Sequence, residues 1–258
     1  MFYKKAGFVG GGRITRVVLN GWKRKNALPA EVVVVEIKEE TADRLKKEFP
    51  GIKTATRSEE LAGAEIIFLC VHPPVLAEIL PRLKSIIQPE TVICSFVPKF
   101  DAAKLAEALG EHTRIIRMNP NATSYVNAGY NPVSFGPGIA AAQKEKFLNQ
   151  MTLLGPAPEV KDELIEVYAT ISAMGPSYLW FLFYELVSLG VSFGLTEKEA
   201  LEAVSTMIAG AANVMAESGL NPEQVMDLIP ARPFAEEEEK VKEIFRQKIT
   251  GIYSRLKN

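Results

Sequence analysis

An apolar run, Lys5 to Val9, empties into three consecutive glycines, Gly10, Gly11 and Gly12, and a helical pattern starts directly behind them. Residues without a Cβ let a turn adopt left-handed backbone and let a ligand or another strand come close. A helix that begins there presents amide N–H groups with no partner of their own. Ile14, Val17, Val18, Gly21 and Trp22 then recur at helical spacing to about Arg24. The next run, Glu31 to Ile37, contains Val32-Val33-Val34-Val35, the continuous β-branched composition of a strand covered on both faces, with Glu36 near its end. A strand, a glycine turn, a helix and a second strand ending in an acid make up the dinucleotide-binding fingerprint of a Rossmann domain.

Each residue of that fingerprint has an expected task. Gly10 permits the tight turn, Gly11 sits within it, and the bare backbone at Gly12 lets a pyrophosphate approach the helix start. Arg13 adds positive charge beside the phosphates and Ile14 follows in the first helical turn. Thr15 stands where a third glycine is usual, a departure that small residues usually tolerate, with a looser helix–strand contact as the consequence. Glu36 is placed to hydrogen-bond the adenine ribose and favours NAD(H). Lys38 and Arg57 stand where they would meet a 2′-phosphate, so NADP(H) stays open, with the balance toward NAD(H).

The alternation continues along the first half of the chain. A helix is expected over Thr41 to Phe49 and a short strand near Ile52 to Ala55; a further strand, Glu65 to Val71, ends at Pro73-Pro74. Thr91 to Val97 and Arg114 to Met118 supply two more strands, separated by a helix that Asp101 caps, and a last strand or two fall between Asn131 and Val160. From Lys161 onward helix follows helix. Glu163 to Ser172 is amphipathic, and a long apolar helix starts at Gly175-Pro176. Thr196-Glu197-Lys198-Glu199 has capping-box form, Asn221-Pro222 opens another helix, and Glu236 to Arg255 closes the chain. The fold class is therefore α/β: an N-terminal Rossmann domain over residues 1–160, then an all-helical domain over residues 161–258.

Composition removes several classes of function. A formal net charge of −1 gives no broad electrostatic basis for binding nucleic acid or anionic lipid. Cys70 and Cys94 both lie in apolar runs and read as packing residues of a reducing, cytoplasmic compartment, and no metal-ligand spacing joins them to a histidine. No secretory leader pattern precedes the first strand. Tyr178 to Leu195 is nearly long enough to span a bilayer, but Glu185 interrupts it, and burial against protein or a second subunit is the expected reading.

Several stretches together resemble the pyrroline-5-carboxylate reductase family. They are Gly7 to Gly12, Ala64 to Pro73, Arg114 to Asn121, Val126 to Gly129, Gly175 to Tyr178 leading through Glu185 to Leu195, Gly210 to Ala212, and Glu217 to Gly219. The resemblance covers nearly the whole chain. It implies a helical dimerisation domain that intertwines with a second subunit to form a homodimer. It also implies hydride transfer from NADH or NADPH to a cyclic imine such as 1-pyrroline-5-carboxylate, giving proline.

The departures from the family pattern are as informative as the matches. Val71-His72-Pro73 replaces Val-Lys-Pro, Asn119-Pro120-Asn121 replaces Met-Pro-Asn, and Ala173-Met174-Gly175-Pro176 replaces Gly-Ser-Gly-Pro. The substrate loop Ser-Pro-Gly-Gly-Thr-Thr gives way to Ala231-Arg232-Pro233-Phe234-Ala235-Glu236. Candidates around the reacting centre are His72, Asn121, Ser177, Tyr178, Glu185 and Arg232, and Val71, His72 and Pro73 are also expected beside the cofactor. His72 leaves a strand's carboxyl end and can donate or act as a general acid; Arg232 can hold a carboxylate bidentately. A solvent-facing His72, a structural turn at Asn121 and an ordinary loop cation at Arg232 are the competing readings. His112 reads as surface. The changed loop keeps two alternatives in view: a nicotinamide-binding regulatory protein without turnover, and a reductase of this architecture with another acceptor.

Overall fold

A computed structural model describes residues 2–257. The chain runs β1 (Lys5–Val9), α1 (Arg13–Arg24), β2 (Glu31–Val35), α2 (Glu39–Glu48), β3 (Lys53–Ala55), β4 (Ile66–Leu69), α3 (Pro73–Ile86) and β5 (Val92–Ser95). It continues with α4 (Ala102–Ala108), β6 (Ile115–Met118), β7 (Val133–Phe135) and α5 (Ala141–Met151). The strands form one seven-stranded sheet in the order β3-β2-β1-β4-β5-β6-β7, parallel except for β7, which runs antiparallel to β6. Pro73 and Pro74, which end the strand in the sequence, open α3 as its first two residues.

Alternation along the strands sends side chains into two apolar layers, one on each face of the sheet. Phe8, Val34, Phe68 and Cys94 meet Trp22 of α1 and Phe147 and Met151 of α5 on one side. Val9, Val33, Ile67 and Ile93 meet Leu76, Leu80 and Leu105 of α3 and α4 on the other. Phe8 and Phe68 stack at 4.7 Å, and the buried Trp22 donates its indole N–H to the Gln150 carbonyl at 3.2 Å. Burial pushes the Cys70 thiol up to about 12 and the Cys94 thiol well above its ordinary value, so both stay protonated. His112 is more than surface. Its Nε2 lies 2.8 Å from the Thr91 carbonyl oxygen, and burial lowers its affinity for a proton.

Contacts divide the chain into two units between Met174 and Gly175, rather than at residue 160, with the stretch from Ile252 onward counted in the first unit. The reason is Arg117 at the end of β6, whose buried guanidinium pairs with Asp162 at 2.9 Å and with Glu166. Ser134 of β7 also donates to Asp162. This network ties residues 162–166 to the sheet. The segment expected as one amphipathic helix is broken accordingly: a 3-10 turn (Asp162–Leu164), α6 (Ile165–Tyr168) and a π-helical turn (Ala169–Ala173).

The second unit is helical, with α7 (Gly175–Ser192), α8 (Glu197–Glu217), α9 (Pro222–Asp227) and most of α10 (Glu238–Lys257). Thr196 and Glu199 form the expected capping box at the start of α8, and Asn221 caps α9. A Cβ on Gly190 would lie 3.2 Å from that of Ala200, so the missing side chain lets α7 come close to α8. No residue of α7 is buried by its own chain, and Phe181, Tyr184 and Phe193 are 65%, 68% and 81% exposed. Among the described residues no helix is long and apolar enough to cross a membrane.

Candidate cofactor and active site

The three glycines behind β1 have three different physical reasons. Gly10 has φ +95°, and a Cβ there would lie 2.7 Å from the Cys70 carbonyl oxygen and 2.8 Å from Val71 Cγ1. The exit of β4 therefore passes directly over the turn. A Cβ on Gly11 would come 2.5 Å from Leu45 of α2 and 3.3 Å from the Glu36 Cβ. At Gly12 a Cβ would meet nothing within 4 Å, so that space is open. Gly12 also caps α1 without a side-chain bond, the first turn of α1 holds no acid, and exposed Arg13 follows. Open room, unpartnered helix-start amides and a cation suit a pyrophosphate, so these residues fit a dinucleotide.

Thr15 is not a loose substitute for glycine. It is fully buried, and its hydroxyl donates to the Gly10 carbonyl at 2.6 Å, tying α1 back to the turn. Ile14 packs against the core beneath.

Beside the turn, Glu36 accepts the Gly11 N–H at 2.9 Å through Oε2 and the Lys38 N–H at 2.8 Å through Oε1. Its carboxylate is thus fixed before any ribose arrives, with lone pairs to spare. It borders a cavity of about 570 Å³ that Ile37, Ala42, Thr54, Ala55 and Arg57 also line. The Lys38 side chain is exposed, and Arg57 Nε lies 3.5 Å from Glu59. Ile37 escapes the sequence reading because it looks like the last residue of a buried strand, yet it is 77% exposed at this cavity. An exposed branched side chain there offers an apolar face to a base.

In the sheet, β1 lies between β2 and β4, so the strand order reverses beside it and leaves a crevice at the carboxyl ends of β1 and β4. Gly10 to Gly12 flank it from one strand, and Val71, His72 and Pro73 from the other. His72 is exposed and precedes α3 as its N-cap; its carbonyl accepts the Leu76 N–H at 3.0 Å, while its ring makes no hydrogen bond or ion pair among the described residues.

Asn121 is placed differently from a catalytic amide. It is 6% exposed, and its Oδ1 accepts both the N–H and the hydroxyl of Thr123, at 2.8 and 2.7 Å. Its Nδ2 donates to the Ser172 carbonyl at 2.5 Å, and its backbone N–H donates to Asn131 Oδ1. The amide closes a local turn and holds the π-helical segment. Ser177, Tyr178 and Glu185 all lie on α7 of the second unit, where Ser177 and Glu185 are exposed and partial burial raises the Tyr178 phenol above its ordinary value. Arg232 donates to Glu238 at 2.6 Å in that unit and keeps further donor capacity.

Residues 5–98 match the family model described as NADP oxidoreductase coenzyme F420-dependent, and residues 162–231 match pyrroline-5-carboxylate reductase dimerisation. Similarity to curated proteins runs across both regions. The pyrroline-5-carboxylate reductase of Corynebacterium melassecola is 25% identical over 220 residues, 84% of this chain and 82% of its own. The Escherichia coli (strain K12) enzyme is 26% identical over 228 residues, 88% and 84%. Along most of its length the chain is similar to pyrroline-5-carboxylate reductases. Solved structures agree in fold. Plasmodium falciparum pyrroline carboxylate reductase with NADP bound superposes with a TM-score of 0.84 at 19% identity, over 98% of this chain and 97% of that one. The Streptococcus pyogenes 1-pyrroline-5-carboxylate reductase superposes with 0.83 at 16% identity, over 98% of each.

Proposed function

We propose that the chain is a nicotinamide-dependent reductase of a small cyclic imine that carries a carboxylate, such as 1-pyrroline-5-carboxylate, with proline as product. The observation that carries this is the open glycine turn at Gly12 beside the β1/β4 crevice, in a chain whose relatives along most of its length are pyrroline-5-carboxylate reductases. When bound, the reduced nicotinamide supplies a hydride. The chain's own work is to bind and orient. The Gly12 and Arg13 region takes the pyrophosphate, Glu36 the adenine ribose, and Ile37 and Arg57 flank the base. Imine reduction asks little more of a protein than placement and charge control at the reacting atoms.

The fixed Glu36 carboxylate supports NADH over NADPH, because a 2′-phosphate would meet a negative charge already held by two backbone amides. Arg232 is the candidate anchor for the substrate carboxylate, with Glu238 as its counter-ion in the free protein. Ser177, Tyr178 and Glu185 remain candidates for the substrate side. The apolar surface of α7 supports a homodimer.

The test is direct: follow NADH and NADPH absorbance with 1-pyrroline-5-carboxylate and a panel of cyclic imines and 2-oxo acids. Oxidation of NADH with a cyclic imine is the expected result. Cofactor binding with no turnover would mark a regulatory protein instead, and turnover with 2-oxo acids alone would overturn the imine assignment.

A further inference from the structure

We propose that His72 is the proton donor to the imine nitrogen, an inference that rests on the reductase reading above. The crevice between β1 and β4 is short of backbone donors on one side. α3 starts with Pro73 and Pro74, and neither has an N–H. Two of the amide donors that a helix start ordinarily offers are therefore missing at β4, whereas α1 keeps its own. On the β4 side the backbone offers fewer donors, which leaves a larger share of hydrogen-bond donation to a side chain.

The polar side chains around the neighbouring strand ends are already occupied. Ser95 accepts the Val97 N–H and is buried. Asn119 donates to the Ile165 carbonyl at 3.1 Å, and the Asn121 amide is engaged at both ends. Lys99 lines a different cavity, with Asp101, Thr113 and Arg117. Burial keeps the Cys70 thiol protonated. His72 remains, exposed, with an uncommitted ring, two residues beyond the carbonyl that presses on Gly10.

The chemistry matches that placement. Reducing a C=N bond adds a hydride at carbon and a proton at nitrogen. As the cofactor's hydride reaches carbon, the π pair of the double bond becomes the new N–H bond, with its proton taken from the His72 imidazolium. The ring is left neutral and regains a proton from water. Imidazole is the side chain best suited to hold and release a proton near neutral pH.

The chain has two histidines, so its imidazole NMR spectrum holds two ring Cε1–H resonances, and H72Q assigns them. Adding NAD⁺ with proline, as a saturated cyclic probe, is expected to shift the His72 resonance and leave that of His112 in place. H72Q is expected to bind NADH within about twofold of wild type, melt at the same temperature, and lose kcat for the imine by roughly 10²–10⁴-fold, the usual worth of a general acid. H72K, which restores a cationic donor, is expected to recover part of that loss. An H72Q protein with wild-type kcat, an H72Q protein that no longer binds NADH, or a His72 resonance that the ternary complex does not move would each overturn the proposal. A wild-type protein inert toward every cyclic imine would instead fell the reading beneath it.

Discussion

The Glu36 carboxylate accepts the amide N–H of Gly11 at 2.9 Å, so the acid that ends β2 and the turn that ends β1 are one hydrogen-bonded unit. That bond holds a negative charge where the adenine ribose is expected, with Lys38 and Arg57 nearby. Glu36→Gln keeps an acceptor for Gly11 and removes the charge. Its ratio of NADH to NADPH affinity should shift toward NADPH by about tenfold, worth about 1.4 kcal/mol, with an unchanged melting temperature. Fluorescence titrations at low ionic strength, where the charge is least screened, measure the ratio; an unaltered ratio would remove Glu36 from cofactor selection.

Gly10 and Gly12 should separate folding from binding. At Gly10 an added methyl would strike the Cys70 carbonyl, in a backbone conformation that side chains rarely adopt, so Gly10→Ala should lower stability and abolish binding together. At Gly12 the methyl meets only open space within the protein, so Gly12→Ala should melt like wild type while NADH binding weakens by tenfold or more. Thermal melts beside NADH titrations test both. Equal loss of stability in the two variants would contradict the different environments.

Arg117 should carry structural weight out of proportion to its place on a short strand. Its side chain is 3% exposed and pairs with Asp162 and Glu166, which lie 34% and 15% exposed. Arg117→Met leaves those two carboxylates facing each other without their cation. A cost of about 3 kcal/mol is expected, at the low end for a broken buried pair because Asp162 reaches solvent. Adding Asp162→Asn and Glu166→Gln should return part of it. Urea midpoints of the three proteins measure the loss and its recovery.

The parts of the fold that follow from local pattern were legible in the residues. The valine run of β2, the Asp101 cap, the Thr196 capping box and the apolar start of α7 each carry their signal within one turn or one strand. The rest depends on partners distant in sequence. Nothing near residue 162 says that Arg117 will claim it, so the unit boundary and the broken helix after it could not be read locally. Asn121 read equally as a site candidate or as a structural turn, because Ser172 and Thr123, which engage its amide, meet it only once the chain has folded. Thr15 looked like a flaw because the Gly10 carbonyl that accepts its hydroxyl is brought round by the turn itself. Ile37 looked buried because composition cannot say where a strand stops. Residues that act through charge or special backbone announce themselves, while residues that act through a folded neighbourhood do not.

His112 should make stability fall on the acid side. Burial depresses its proton affinity in the folded protein; the Thr91 carbonyl opposes the effect, and the charge of Arg114 adds to it. The unfolded chain therefore binds a proton more readily below the ordinary imidazole value. The contribution is fully present above that value and is lost as pH falls through the folded one. Urea midpoints at pH 7.5 and pH 5 should differ more for wild type than for His112→Gln. An equal pH response in the two proteins would show that other groups carry the dependence.

The exposed apolar surface of α7 should be closed by a second copy of the chain. Trp180, Phe181 and Tyr184 of α7, with Phe193 directly behind it, leave more contiguous apolar surface than a monomer sustains, and residues 162–231 match a dimerisation domain. Replacing Phe181 with Lys places an uncompensated charge in that surface, which an interface core excludes. Light scattering after gel filtration should report a dimer or larger assembly for wild type and a smaller species for Phe181→Lys. NADH titration of the variant adds a second reading. The glycine turn, Glu36 and His72 all lie in the first unit, so NADH should still bind when the assembly is broken. Lost binding in a folded, dissociated variant would mean that the cofactor site is completed by the second copy.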